Sequence, residues 1–246
     1  MSSSPIPTPA WSGPDDRDDP GPRGDRSVPP MTAETSIYDW WSRNPWALRL
    51  LYAVAFAGRE STFRRRSLMA LSPSAGEAVL ELGCGRGRAL GRLREAVGPD
   101  GRVVGVDYSR GMAETAAAAA DRWENVHVVR GDATDLGIRA DAFDAAYAAM
   151  SVSATPDPAA AVATAARCLR ADGRLAVLEA RPFQPLPLRA LNPLVVPVLR
   201  VLTDWNHAAD VPAAVEAWFE TATVESYNAG TIYVASAARP APDGRG

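Results

Sequence analysis

The chain of 246 residues contains no lysine, so all 26 of its cationic residues are arginine. They are scattered along an alanine-rich sequence, which fits a compositional bias better than a site built of guanidinium forks. Only two cysteines are present, too few for a disulfide framework, and this predicts a reducing, cytoplasmic compartment. There is no uninterrupted apolar run of about eighteen residues, so no transmembrane helix is expected. No basic start leads into an apolar core, so a secretory signal is not expected either. A formal net charge of −3 lacks the basic excess of proteins that grip nucleic acid over a wide surface. Only two histidines occur, His127 and His207, and with no paired His or Cys spacing no metal site is predicted. No internal repeat is visible.

What is present is enough to build a core, with 47% hydrophobic residues in a length suited to one α/β domain and a modest appendage. Residues 1–30, rich in Ser, Pro, Gly, Asp and Arg, read as a disordered tail, and Met31 stands as an alternative start. Residues 31–71 read as an N-terminal helical cap. Ser36 caps a short helix with Tyr38, Trp40 and Trp41, and Pro45 opens a second helix with Trp46, Leu48, Leu50, Leu51, Val54 and Phe56. Gly58 closes it, and Glu60 to Leu71 form a third with Phe63, Leu68 and Met69 buried. Arg64-Arg65-Arg66 read as a charged helix face.

From about residue 72 to 240 short apolar runs alternate with helical patterns. Strands are predicted over 77–82, 102–106, 126–130, 143–148 and 174–179, and helices over 88–97, 112–122 and 159–169. Such alternation means βαβ units and a parallel sheet covered on both faces. Pro182 to Leu202 is apolar but interrupted by five prolines, which excludes one straight helix, and 182–210 reads as a lid insertion. A helix over 211–219 precedes strands over 221–227 and 231–237. Asn228-Ala229-Gly230 between them is hairpin chemistry. Residues 241–246 read as a second tail.

The most informative segment is Val79-Leu80-Glu81-Leu82-Gly83-Cys84-Gly85-Arg86-Gly87-Arg88. A buried strand enters three glycines spaced by two and then a helix. Glycine permits the sharp turn and the close approach of a ligand, and the helix start offers free N–H groups. The dinucleotide pattern Gly-x-Gly-x-x-Gly fails in both registers, since Arg88 or Leu90 falls where its third glycine is required. Glu81-Leu82-Gly83-Cys84-Gly85-Arg86-Gly87 resembles the first motif of class I S-adenosylmethionine-dependent methyltransferases. The order of elements from 72 to about 239 is similar to that family. The resemblance implies a Rossmann-like, doubly wound, seven-stranded sheet, mostly parallel with a C-terminal antiparallel hairpin, helices on both faces, and S-adenosylmethionine as cofactor.

Under that resemblance Glu81, Gly83, Cys84, Gly85 and Gly87 form the cradle. Asp107, ending the second strand, accepts from the ribose hydroxyls, and Tyr108 and Met112 flank the adenine. Asp132 accepts from the adenine amino group beside Ala133, and Met150 lies near the sulfonium. The base-methylating signature Asn-Pro-Pro or Asp-Pro-Pro is replaced by Ala149-Met150-Ser151-Val152, and neither cysteine follows proline, so no nucleic-acid partner is expected. A small hydrophobic acceptor is expected, such as a quinol, lipid or aromatic, with a membrane-associated quinone or lipid among the candidates. The arrangement is similar to the menaquinone/ubiquinone C-methyltransferase and phospholipid N-methyltransferase branch. Tyr38, Trp41, Ser151 and Trp205 are candidate acceptor contacts, and His207 is the candidate general base. The alternatives are a non-catalytic cofactor-binding scaffold or regulator and, less favoured, a nicotinamide oxidoreductase.

Overall fold

The computed structural model describes residues 37–203 and 205–241. Ser36, both expected tails beyond residue 241 and before residue 31, and Met31 lie outside the described residues. Three helices come first: α1 (Ile37–Arg43), α2 (Pro45–Ala55) and α3 (Glu60–Leu71). Strands and helices then alternate: β1 (Ala78–Leu82), α4 (Leu90–Val97), β2 (Arg102–Asp107), α5 (Arg110–Ala120), β3 (Val126–Arg130), β4 (Phe143–Ala149), α6 (Pro158–Cys168) and β5 (Leu169–Ala180). The chain continues through α7 (Asn192–Thr203) and α8 (Val211–Trp218) to the hairpin β6 (Phe219–Tyr227) and β7 (Ile232–Pro240).

The seven strands form one sheet in the order β3-β2-β1-β4-β5-β7-β6. β1 through β5 run parallel to one another, and β7 runs antiparallel between β5 and β6. The strand order reverses between β1 and β4, and ligands of open α/β sheets bind beyond the carboxyl ends of strands at such a reversal.

β1 is buried along its whole length, and its alternation sorts residues to the two faces. Leu80 and Leu82 join one core cluster with Val162 of α6, Val215 of α8 and Phe219. Val79 joins the other with Phe63 and Leu71 of α3, and with Leu90 and Leu93 of α4. α3 thus belongs to the layer on the sheet and is more than a cap. Helix starts are fixed by side chains: Ser109 Oγ accepts from the Met112 N–H, Asp157 from Ala160 and Asp210 from Ala213. Each satisfies a backbone donor that the first turn leaves without a partner.

Three expectations are corrected, and the proline-rich stretch 182–202, expected not to be one straight helix, is not one. Met69 is exposed, because the buried side of α3 is formed by Phe63, Arg64, Ser67 and Leu71. Arg64, expected on a solvated face, is buried, and its Nε donates to Glu60 Oε1 one turn earlier (2.8 Å). β5 begins at Leu169 instead of 174, because Leu169 pairs with Phe143 across a register shift. The proline-interrupted stretch contains a continuous twelve-residue helix, α7, with Pro197 inside it. Pro197 is exposed, so the carbonyl that lost its N–H partner can turn to water.

Candidate active site

β1 delivers the chain into Gly83-Cys84-Gly85-Arg86-Gly87, where all three glycines have positive φ, 63°, 56° and 77°. Such angles cost an L residue roughly 1–2 kcal/mol. The Cys84 N–H donates to the Val106 carbonyl (2.9 Å) and pins the loop to the end of β2. One residue on, the Gly85 N–H donates to Asp107 Oδ2 (2.7 Å), while Asp107 Oδ1 accepts from the Ser109 N–H (3.0 Å). The loop and the acid of the neighbouring strand therefore face each other. Ser109 caps α5, so capping does not account for Asp107.

The glycines differ in what surrounds them. A Cβ on Gly83 would stand 2.3 Å from Ser151 Cβ, so this position is closed by packing. A Cβ on Gly85 would meet nothing within 4 Å. The open side of the loop is at Gly85, above Asp107.

Glu81 lies within β1 with 2% exposure, and its Oε2 has no hydrogen-bond partner. Burial pushes its carboxyl up to about 8, with Arg64 opposing and Asp107 reinforcing the shift. A buried carboxyl oxygen without a partner is costly and suits a cationic group arriving from outside. Burial also pushes the Cys84 thiol up, which removes it as a nucleophile near neutral pH. Among the described residues no group of His, Cys, Asp and Glu could hold a metal ion.

Residues 79–173 match the family model described as "Methyltransferase domain", and this stretch holds the glycine loop, Asp107 and Asp132. This segment is thus similar to a methyltransferase domain. The chain is 42% identical over 134 residues to nocamycin O-methyltransferase of Saccharothrix syringae, covering 54% of this chain and 48% of that protein. It is 30% identical over 139 residues to demethylmenaquinone methyltransferase of Staphylococcus aureus, covering 56% and 57%. The chain thus spans about half the length of these curated relatives. In fold it is similar to geranyl diphosphate C-methyltransferase of Streptomyces coelicolor A3(2), with TM-score 0.58 at 18% identity over 73% of this chain and 76% of that one.

The similarity to methyltransferases implies S-adenosylmethionine as cofactor, and the residues present fit it. It carries a permanent sulfonium and an ammonium, and the end of β1 offers a partnerless buried carboxyl oxygen at Glu81 and an open glycine at 85. The ribose diol needs acceptors, and the Asp107 carboxylate at the end of β2 is an acceptor-only group. Asp132 Oδ1 already accepts from the Thr134 N–H and hydroxyl (2.9 and 2.7 Å), and Gly131 N–H donates to the Asp107 carbonyl (3.1 Å), which joins the third strand end to the second. Tyr108 is exposed, whereas Met112 is buried with Trp41 and Leu48. Ala133 packs against the core.

On the far side of β1 the sheet carries a feature that spacing gave no sign of. Glu179, fully buried at the end of β5, accepts from the N–H groups of Ser151 and Ser153 through Oε1 (3.0 and 3.1 Å) and from Ser153 Oγ through Oε2 (2.6 Å). Burial pushes its carboxyl up against these donors. The signal available in the sequence was an acid closing the otherwise apolar run Leu175–Leu178. Glu179 fixes the turn after β4, where Met150 adopts φ 60° and Ser151 Oγ donates to the Leu82 carbonyl (2.7 Å). Trp205 is buried, and the Asn206 N–H donates to the Ser153 carbonyl (2.8 Å), which brings the exposed His207 beside the same turn. Tyr38 and Trp41 are occupied otherwise: Tyr38 Oη donates to the Thr203 carbonyl (2.5 Å) and Trp41 Nε1 to that of Leu202 (2.7 Å), clasping the end of α7.

Proposed function

We propose that this protein transfers a methyl group from S-adenosylmethionine to a small hydrophobic acceptor, a quinol, lipid or aromatic. The observation that carries the reading is the Gly85 N–H on Asp107 Oδ2 at 2.7 Å, with open space where a Cβ on Gly85 would stand. Bound S-adenosylmethionine supplies a sulfonium methyl suited to in-line displacement by an acceptor nucleophile. The chain then has to bind, orient and exclude water. Asp107 and Asp132 orient the nucleoside, Glu81 faces positive charge, and the turn Met150-Ser151, held by Glu179, borders the acceptor.

Residues 182–210 act as a lid in this reading. Its apolar character supports a hydrophobic acceptor, as do relatives named for nocamycin and for demethylmenaquinone. A membrane-associated quinone or lipid falls in the same class, no nucleic acid is required, and the site of action is cytoplasmic. Among the described residues no helix is long and apolar enough to cross a membrane. His207 receives the proton when the acceptor nucleophile carries one, and Trp205 borders the acceptor.

The test is a screen of quinols, phospholipids and phenols with methyl-labelled cofactor. Label transfer to one class is expected. Cofactor binding without transfer to any class would leave a cofactor-binding scaffold, and calorimetry showing NAD(H) binding without S-adenosylmethionine binding would make the protein an oxidoreductase.

A further inference from the structure

We propose that α2 and α7 form a docking surface for an anionic lipid bilayer. On α2, Trp46, Leu50 and Val54 recur every four residues, which is one stripe of a helix, and they are 69%, 60% and 74% exposed. α7 has no buried side chain at all. Its Leu194, Val198 and Val201 are 72%, 54% and 75% exposed, and Leu186, in the approach to it, is 81% exposed. Single exposed apolar residues are ordinary, but two stripes of this kind on helices that meet in one cluster are not. The helices meet through their inner sides: Leu48 of α2 and Leu202 of α7 pack in the cluster that holds Trp41, and α1 clasps the end of α7.

Charge selects the occupant. Residues 40–59 and 181–203 together contain six arginines and no aspartate or glutamate, although the whole chain is net −3. Asp39, Glu60 and Asp204 border these stretches without interrupting them. Arg43, Arg49, Arg189 and Arg200 are exposed. Apolar stripes flanked by guanidinium groups, with a tryptophan among them, are what an interfacial helix presents to anionic headgroups and the acyl boundary beneath them. A second copy pairing through the same surface would set arginine against arginine. An acidic peptide would answer the charge and leave two apolar stripes in water. The surface rests on the fold alone, and it is consistent with the hydrophobic acceptor proposed above because such an acceptor would be met where it dissolves.

The experiment is co-sedimentation of the full chain with phosphatidylcholine vesicles with and without phosphatidylglycerol. We expect at least tenfold tighter binding to the phosphatidylglycerol vesicles, lost when salt is raised from about 0.05 M to about 0.5 M. The variant Leu194→Ser/Val198→Ser/Val201→Ser should bind vesicles at least tenfold more weakly. The variant Arg43→Gln/Arg49→Gln/Arg189→Gln/Arg200→Gln should lose the preference for anionic lipid. Retained circular dichroism and S-adenosylmethionine calorimetry in both variants keep docking separate from folding and from the cofactor reading. No vesicle binding, equal binding to both vesicle types, or wild-type dimers that the leucine and valine substitutions dissolve would each overturn the proposal, the last by giving the face to a second copy.

Discussion

With Glu81 in the proposed site, cofactor binding is expected to be a proton-coupled event. In the ligand-free protein its carboxyl stands at about 8, so near neutral pH it is mostly protonated. A cationic ligand favours the carboxylate, and binding below that pH must release the proton. If the bound form requires the carboxylate, affinity falls about tenfold for each pH unit below 8, since one pKa unit corresponds to about 1.4 kcal/mol. Between pH 7.5 and pH 6 the dissociation constant for S-adenosylmethionine should rise about 20-fold. Across this window the cofactor's own α-amino group, which titrates at about 8, stays mostly charged, from about three-quarters at pH 7.5 to nearly all at pH 6. Calorimetry in two buffers of different ionisation enthalpy reads the released proton directly. Glu81→Gln should bind more weakly at pH 7.5 and show no pH slope. The stability linkage has the opposite sign to that of a salt-bridged acid. A carboxyl raised by folding contributes stability in full below about 4.5 and loses it as pH rises through about 8, so the Gln variant should gain in melting temperature over the wild type across that interval. A wild-type affinity flat between pH 6 and 7.5, with no proton released, would refute the reasoning.

Asp107→Ala removes the acceptor of two backbone N–H groups and of the ribose, and should weaken cofactor binding by about 3 kcal/mol, roughly 100-fold. An unchanged dissociation constant would take Asp107 out of the site. Gly85→Ala places a methyl in the open space above Asp107 and should weaken cofactor binding at least tenfold with a small change in melting temperature. Gly83→Ala drives a Cβ into Ser151 at positive φ and should cost about 3 kcal/mol of stability, or about 6–12 °C in melting temperature; the reverse pattern would misassign the open side of the loop. Glu179→Ala leaves three donors of the turn after β4 without an acceptor and should lower the melting temperature by about 10 °C. Glu179→Gln, which keeps an acceptor, should recover much of that loss, and equal losses in the two variants would mean that packing rather than hydrogen bonding fixes the turn.

The parallel core was legible because each of its signals is local. An apolar run ending in glycines, an acid closing the second strand and Asn228-Ala229-Gly230 between two alternating segments all depend on residues close in sequence. What was missed depends on partners far away. Glu179 gains its meaning from Ser151 and Ser153, 28 and 26 residues distant. Leu169 extends β5 only because Phe143 is there to pair with it, while Asp172-Gly173 reads locally as a turn. Prolines in 182–202 were read as interruptions, yet Pro193 sits in the first turn of α7 and Pro197 on its exposed side, where the missing hydrogen bond is least costly. Arg64 was assigned to solvent by its neighbours Arg65 and Arg66, although Glu60 one turn back was the available sign of a buried pair. Tyr38 and Trp41 were assigned to an acceptor on aromatic character alone, and the carbonyls that engage them belong to a helix about 160 residues away.

Ser151 links two halves of the site. Its hydroxyl rests on the Leu82 carbonyl, its N–H rests on Glu179, and its Cβ abuts Gly83. The three contacts make a short strut between the glycine loop and the turn after β4. A displacement of the loop by the cofactor would pass through this strut to that turn, so the proposed reaction predicts ordered addition with the cofactor leading.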